Sequence, residues 1–434
     1  MKLLLSGCFL LWSTGILIGL AIPSSLSAQE TGIDTLHLDI SKAKAIFLQR
    51  NLTLLANQYN IDISKAQVEQ AKVWDNPILN TDQNVYDGKF FRHTTENGVQ
   101  YGQVYIEVQQ LIRTAGKIKK GTQLARDNVL NNEAAFKDVM RNLKYLLTTD
   151  LNNLSQLQQT AGIFQAEMHT MQVLVKGMDE MLKTGDVSRK ENIRIKAVLF
   201  SLQNDYADNI RQQVDLQKEI GQLLQLKEDV WVVADAGQPL PAERINQLRI
   251  GDLRDLALQN RPDLQLSKGQ QVFQQHNIAY QKALAVPDIT ISPEYDRLNS
   301  YVPNYVGLGI SLPLPLFNRN KGNIRAAELT AKQADLLVIQ LQDQVGKEVL
   351  AAWQKLKNAT ALFDNENTQL KDDYESLMKN MTESYQRREV SLIEFIDFFD
   401  AYKDTRTKQY QQIANQRNAV AELNYSIHQD IIQL

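Results

Sequence analysis

The stretch Tyr305-Val306-Gly307-Leu308-Gly309-Ile310-Ser311-Leu312 alternates throughout, with Val306, Leu308, Ile310 and Leu312 on one face and Gly307, Gly309 and Ser311 on the other. Successive side chains of a strand point to opposite faces, so this reads as a strand with one apolar face and one small or polar face. A water-soluble half-buried hairpin would show the same alternation. From Ile324 the period changes: apolar or small residues stand at Ala327, Ala331, Ala334, Val338, Leu341, Val345, Val349, Ala352 and Leu356, three and four apart with one stutter. That is a heptad seam, the pattern of coiled-coil packing rather than of a broad globular face.

Working outward, a helical stretch over about 251–284 stops just before Pro287, and another strand follows at 289–295. The order helix-strand-strand-helix then recurs in the first half of the chain. Leu48-Gln49-Arg50-Asn51-Leu52-Thr53-Leu54 matches Leu258-Gln259-Asn260-Arg261-Pro262-Asp263-Leu264 at an offset of 210 residues, and Pro77 matches Pro287 at the same offset. Gly116-Lys117-Ile118 matches Gly322-Asn323-Ile324 at 206, and Gly185-Asp186-Val187-Ser188 matches Arg388-Glu389-Val390-Ser391 at 203. Anchors in one order with a small drift mark a tandem repeat, which decides the architecture before any single element does. The first unit spans 38–230, with a helix over about 41–73, strands at 78–86 and 101–109 and a helical hairpin at 116–185. A linker at 231–247 carries Gly237, Pro239 and Pro241. The second unit spans 248–434, with strands at 289–295 and 305–312 and a hairpin at 322–388. Halving each hairpin places its tip near 153–159 and 356–362, at Asn153 and Leu157 and at Leu356 and Ala359. With further helices stacked on the arms, the body would reach about 100 Å at 1.5 Å per residue.

Composition agrees with long helices. Gly and Pro together supply 30 of 434 residues, about 7% against a usual level near 12%. The net charge of -3 gives no electrostatic reason to expect nucleic acid. Lys2, the apolar run to Ile22 and the small residues around Ser27-Ala28 read as a secretory signal peptide over 1–28. An uncleaved anchor is the alternative, and Leu5-Ser6-Gly7-Cys8 also has the form of a lipoprotein box. Cys8 is the one cysteine, so cleavage at 28 leaves a chain without disulfides or thiolate chemistry. No HExxH, Walker loop or GxSxG occurs, the five histidines lack ligand spacing, and nothing suggests a cofactor or an enzyme. Six of eight methionines fall in pairs three apart (Met168/Met171, Met178/Met181, Met378/Met381), a pattern of seam fillers or of soft ligands for Cu(I) or Ag(I).

Beyond the leader no apolar run is long enough for a membrane helix, so a membrane role must use strands. Four strands cannot close a barrel, and open edges are not tolerated in lipid. Three copies pooling four strands each would close a twelve-stranded barrel. The expected fold is therefore mainly α with a small β part: tandem repeats that form a long coiled-coil barrel and contribute to a trimeric transmembrane β-barrel.

The tandem units, together with Ser311-Leu312-Pro313-Leu314-Pro315-Leu316-Phe317-Asn318-Arg319-Asn320-Lys321-Gly322, resemble the TolC-type outer-membrane efflux channels, and this segment looks like the strand-to-helix turn of the CzcC-like cation-efflux branch. Val108-Gln109-Gln110-Leu111-Ile112-Arg113-Thr114-Ala115-Gly116 lacks the proline usual in that family after the glutamine. Gly185-Asp186-Val187-Ser188 and Glu389-Val390-Ser391-Leu392-Ile393-Glu394-Phe395 resemble the family's equatorial breaks between stacked helices. The resemblance implies a homotrimer in the outer membrane with a long periplasmic extension. It would serve as the exit duct of a tripartite exporter, docked through its tips to a periplasmic adaptor fed by an inner-membrane pump of the resistance-nodulation-division type. The cargo could be heavy-metal cations, and Asp364 and Glu366 would form an acidic ring at the pore entrance. A periplasmic adaptor and a coiled-coil scaffold are the competing readings. The first normally has one hairpin per chain, and the second leaves the four strands unexplained.

Overall fold

The computed structural model describes residues 34–235, 237, 240–241, 245, 247–362 and 366–433, with the side chains of 366–375 left aside. The expected signal peptide at 1–28 lies outside the described residues. In chain order the strands are β1 (Asp34–Leu38), β2 (Ile78–Gln83), β3 (Thr95–Glu96), β4 (Val99–Gln100), β5 (Val104–Ile112), β6 (Val230–Ala234), β7 (Ile289–Asp296) and β8 (Tyr305–Ser311). The helices are α1 (Ile40–Arg50), α2 (Leu52–Ala71), α3 (Lys117–Thr184), α4 (Arg189–Leu224), α5 (Ile250–Asn260), α6 (Pro262–Leu284), α7 (Lys321–Ala361), α8 (Glu366–Gln386) and α9 (Leu392–Ile427). The chain is mainly helical with a small β part, as expected.

The sequence anchors at 48–54 and 258–264 turn out to be helix breaks. Asn51 ends α1 and caps α2, its side chain accepting from Leu54 N at 3.0 Å and donating to the Leu223 carbonyl at 2.9 Å. Arg261 breaks α5 from α6, where Pro262 takes the first helical position, in which its missing N–H costs nothing. Each expected single helix is thus two.

A larger correction concerns the hairpins at 116–185 and 322–388. α3 is one unbroken helix of 68 residues, about 100 Å long at 1.5 Å per residue. It contains no proline to stop it, and it does not fold back near 153–159. The turn comes at Gly185, in the left-handed region at φ +80, with Asp186 N donating to Met181 O at 2.9 Å. Ser188 then opens α4 through a reciprocal capping box with Glu191. The second unit does the same: Arg388 has φ +64, Glu389 N donates to Ser384 O at 2.9 Å, and Ser391 forms a capping box with Glu394. Both i→i+5 bonds are Schellman closures. The outgoing arm of the second unit is α7 followed by α8. α9 returns along both, its early Phe395 and Phe399 packing with Met378 of α8 and its late Val420 and Leu423 with Val349 and Leu356 of α7.

Asn153, Leu157, Leu356 and Ala359 are therefore not tips. They lie within helices near mid-body, with Leu157 and Leu356 buried. The two motifs read as equatorial breaks are the turns at the hairpin ends. Tip and equator exchange places.

Three cores hold the body together, two side by side at mid-body, where Asn152 and Asn153 meet Asn418, and one near the tips. One joins α1, α3, α4 and β6 around Phe47, Leu151 and Leu224, and its repeat-related partner joins α5, α7 and α9 around Leu253, Val349 and Leu423. The third, near the tips, joins both hairpins around Met171, Met178, Leu202, Phe395 and Phe399. The heptad seam of α7 from Ala327 to Leu356 is its buried stripe, except for half-buried Leu341. β1 and β6 form a parallel pair in the girdle.

Candidate functional site: a sheet with two faces and its helical body

At the end opposite the tips, β2, β5, β7 and β8 form one antiparallel sheet in the order β2-β5-β7-β8, two strands from each unit. β5 begins three residues later than its expected start at 101, and the excursion between β2 and β5 carries the short β3–β4 ribbon. Register stacks Thr81 beside Ile106, Ile106 beside Tyr295, and Tyr295 beside Val306; Pro293 lies beside Leu308 and Ile291 beside Ile310. This face is apolar, and the protein leaves it bare: Val306 is 77% exposed, Leu308 65% and Ile310 70%. At about 25 cal/mol per Å2, leaving such side chains in water forgoes roughly 1.5–3 kcal/mol each, so a contiguous bare face of this kind marks a contact with something apolar.

The opposite face is polar. It carries Asp82, Glu107, Glu294 and Asp296, and the four strands contain no Lys, Arg or His. Glu107 stands directly across from Glu294. Glu107 accepts from Asn80 Nδ2 at 3.0 Å and from Gln109 Nε2 at 2.9 Å, Glu294 from the Tyr105 hydroxyl at 3.0 Å, and Asp296 from Gln103 Nε2 at 2.7 Å. The alternation around Glu107 was visible in the sequence; its pairing with Glu294 depends on inter-unit register, which no local pattern carries. β2 and β8 are open edges. Among the described residues no helix is long and apolar enough to cross a membrane.

At the tips the two hairpins hold each other. Arg388 Nη2 donates to the Asp186 carbonyl at 2.9 Å and the Tyr385 hydroxyl donates to Met178 Sδ at 3.5 Å, while within the second hairpin Tyr385 stacks on Phe395 with centroids 5.0 Å apart. Met171, Met178 and Met378 are buried among these aromatics, which is where thioethers pack well and favours their role as fillers. Among the described residues no group of three or more His, Cys, Asp or Glu is placed to hold a metal ion. Asp364 lies outside the described residues, as does the side chain of Glu366, whose backbone opens α8.

Mid-body, α3 buries two carboxylates. Burial pushes Asp150 up to about 7, with Glu219 adding to the effect, and pushes Glu167 up to about 7 against the opposing pull of Arg406. Unfolded carboxyls titrate near about 4, so between there and about 7 the folded chain keeps protons that the unfolded chain has lost. The contribution of both groups is greatest at the acid end of that window, falls as pH rises through it, and is flat above. Asp150→Asn and Glu167→Gln are each expected to flatten the fall in Tm between pH 5 and pH 8, read by thermal melts of variant and parent in parallel. Parallel curves would mean that these carboxyls are already ionised.

Residues 253–434 match the model of a family described as outer membrane efflux protein. No curated protein matches the chain by sequence. Several solved structures share its fold. CusC superposes with a TM-score of 0.68 at 18% identity, over 89% of this chain and 91% of that one. CmeC of Campylobacter jejuni gives 0.72 at 13% identity, over 89% and 85%, and VceC of Vibrio cholerae gives 0.70 at 14%, over 91% and 97%. The chain has the TolC-type channel fold across nearly all of its described length, and its second half carries the efflux-family sequence pattern.

Proposed function

We propose that three copies of this chain form an outer-membrane exit duct, secreted through the leader at 1–28, in which twelve strands close a barrel and the helices continue it as a tube into the periplasm. The observation that carries this is the four-stranded sheet with two open edges, a bare apolar face and a carboxylate-lined face. In lipid such a sheet is stable only when its edges are paired, and copies of itself offer matching edges. Closed that way, the apolar face meets acyl chains and the acids line the lumen.

The duct works within a tripartite exporter, its tips at 185–188 and 388–391 facing a periplasmic adaptor fed by an inner-membrane pump. A polar sheet face with four acids and no base in its strands favours cations, consistent with the CzcC-like segment at 311–322; heavy-metal cations are the cargo we assign. With the tips at 185–188 and 388–391, Glu366 opens α8 and lies the whole length of that helix away from the entrance, so an acidic ring of Asp364 and Glu366 at the entrance is not part of this assignment.

The test is purification in mild detergent followed by planar-bilayer recording. A trimer with cation-preferring steps is expected. A monomer without conductance would end the duct reading, and anion preference would end the cargo assignment. In cells, deletion should raise sensitivity to metal cations more than to a drug panel.

A further inference from the structure

The alternation that defines β8 does not stop with the strand. Leu312, Leu314 and Leu316 continue the series Val306, Leu308, Ile310 beyond Ser311, all exposed, and Phe317 is fully exposed at 100%. Seven strand residues tilted by about 40° span only about 18 Å, short of the apolar band of about 25 Å that an outer-membrane barrel presents. The extension prolongs the same apolar series at the end of the strand, with a turn closed from Leu316 N onto Leu314 O before Phe317. Its backbone brings fewer free donors to an apolar boundary than an ordinary loop does: Pro313 and Pro315 have no N–H to leave unpaired, and Leu316 N donates to Leu314 O at 2.8 Å.

The segment is anchored at its far end. Asn320 Nδ2 donates to the Gln281 carbonyl at 2.8 Å, tying the turn to the end of α6, and after Asn318 come exposed Arg319, whose Nε also donates to the Pro315 carbonyl at 3.2 Å, and exposed Lys321. An apolar run ending in an aromatic ring and then cations is the order met on passing from acyl chains to headgroups. The first unit has no counterpart: after Ile112 come Arg113, ion-paired with Asp75 at 2.7 Å, and Thr114.

Resting on the channel reading above, we propose that residues 312–317 form a ledge seated in the phospholipid leaflet nearest the helical body, with Arg319 and Lys321 on the lipid phosphates. The occupant of this surface is lipid rather than a neighbouring copy, because the ledge continues the face that points away from the polar lumen side rather than the β8 edge that a second copy would pair.

The experiment uses the full chain with Cys8→Ser, carrying Leu316→Cys, Leu308→Cys or Arg211→Cys, nitroxide-labelled and reconstituted in phosphatidylethanolamine–phosphatidylglycerol vesicles. Collision with oxygen is compared with collision with a water-soluble nickel chelate. The oxygen-to-nickel ratio at 316 should match that at 308 and exceed that at 211 several-fold. A ratio at 316 like that at 211, or shielding from both reagents, overturns the ledge while leaving the channel reading intact. A watery label at 308 overturns the channel reading and the ledge with it. Adding Arg319→Gln and Lys321→Gln to the Leu316→Cys chain should move the label toward water; an unmoved label removes the headgroup contact.

Discussion

Arginine in place of Leu308 is expected to keep the protein out of the bilayer. Leu308 lies in the middle of β8, paired with Pro293 and 65% exposed on the apolar face. A guanidinium at the midplane of such a barrel costs roughly 2–4 kcal/mol. Threefold repetition multiplies that to the order of 6–12 kcal/mol for one assembly, comparable to the whole stability of many domains. Gln109→Arg is the control, because it places the same cation on the opposite face beside Glu107, where it gains an ion-pair partner. Flotation with liposomes, together with the yield of heat-resistant oligomer, reads both variants. Leu308→Arg should be lost from the membrane fraction and Gln109→Arg retained. Equal insertion of the two would mean that protein, not lipid, covers the apolar face.

Much of this was legible because it is periodic. The strand alternation, the α7 seam and the repeat anchors are short-range patterns, and the structure places them as strands, a buried stripe and matching elements of the two units. What misled was the halving of the span 116–185, which took the break at Gly185 for the end of the hairpin when it is its turn. Asn152, Asn153, Gln156 and Gln158 stand where that halving put the tip, and they are not a solvated turn. They serve instead as internal donors and acceptors: Asn152 Oδ1 accepts from Arg417 Nε at 3.0 Å, Asn418 Nδ2 donates to Asn153 Oδ1 at 2.8 Å, and Gln158 takes both the Val232 carbonyl and the Ala234 N–H of β6. A helix that threads past a girdle strand needs side chains to satisfy that strand's free backbone groups, and sequence gives no sign of the strand's approach. The sheet's acid pair, Glu107 with Glu294, was hidden for a related reason: its members are 187 residues apart and meet only through register.

Proline substitution separates the two placements of the tip sharply. In the structure Asn153 lies deep inside α3, flanked by the buried Leu151, Leu154 and Leu157. Proline there deletes a helix hydrogen bond and drives its ring into the preceding turn, at about 3 kcal/mol or more before any cost of tilting those leucines out of the mid-body core. Arg189 is the first residue of α4, after the Ser188 cap, where an N–H has no helical partner and proline's fixed φ suits the helix. Asn153→Pro should therefore lower Tm by many degrees or abolish recovery of folded protein, while Arg189→Pro should melt within a few degrees of the parent. The opposite ranking would return the tip to 153–159. The ranking also bears on mechanism, because a stiff 68-residue helix transmits a displacement at its 185–188 end along its whole length toward the sheet, whereas a chain folded back at 153 would confine that displacement to one half of the body.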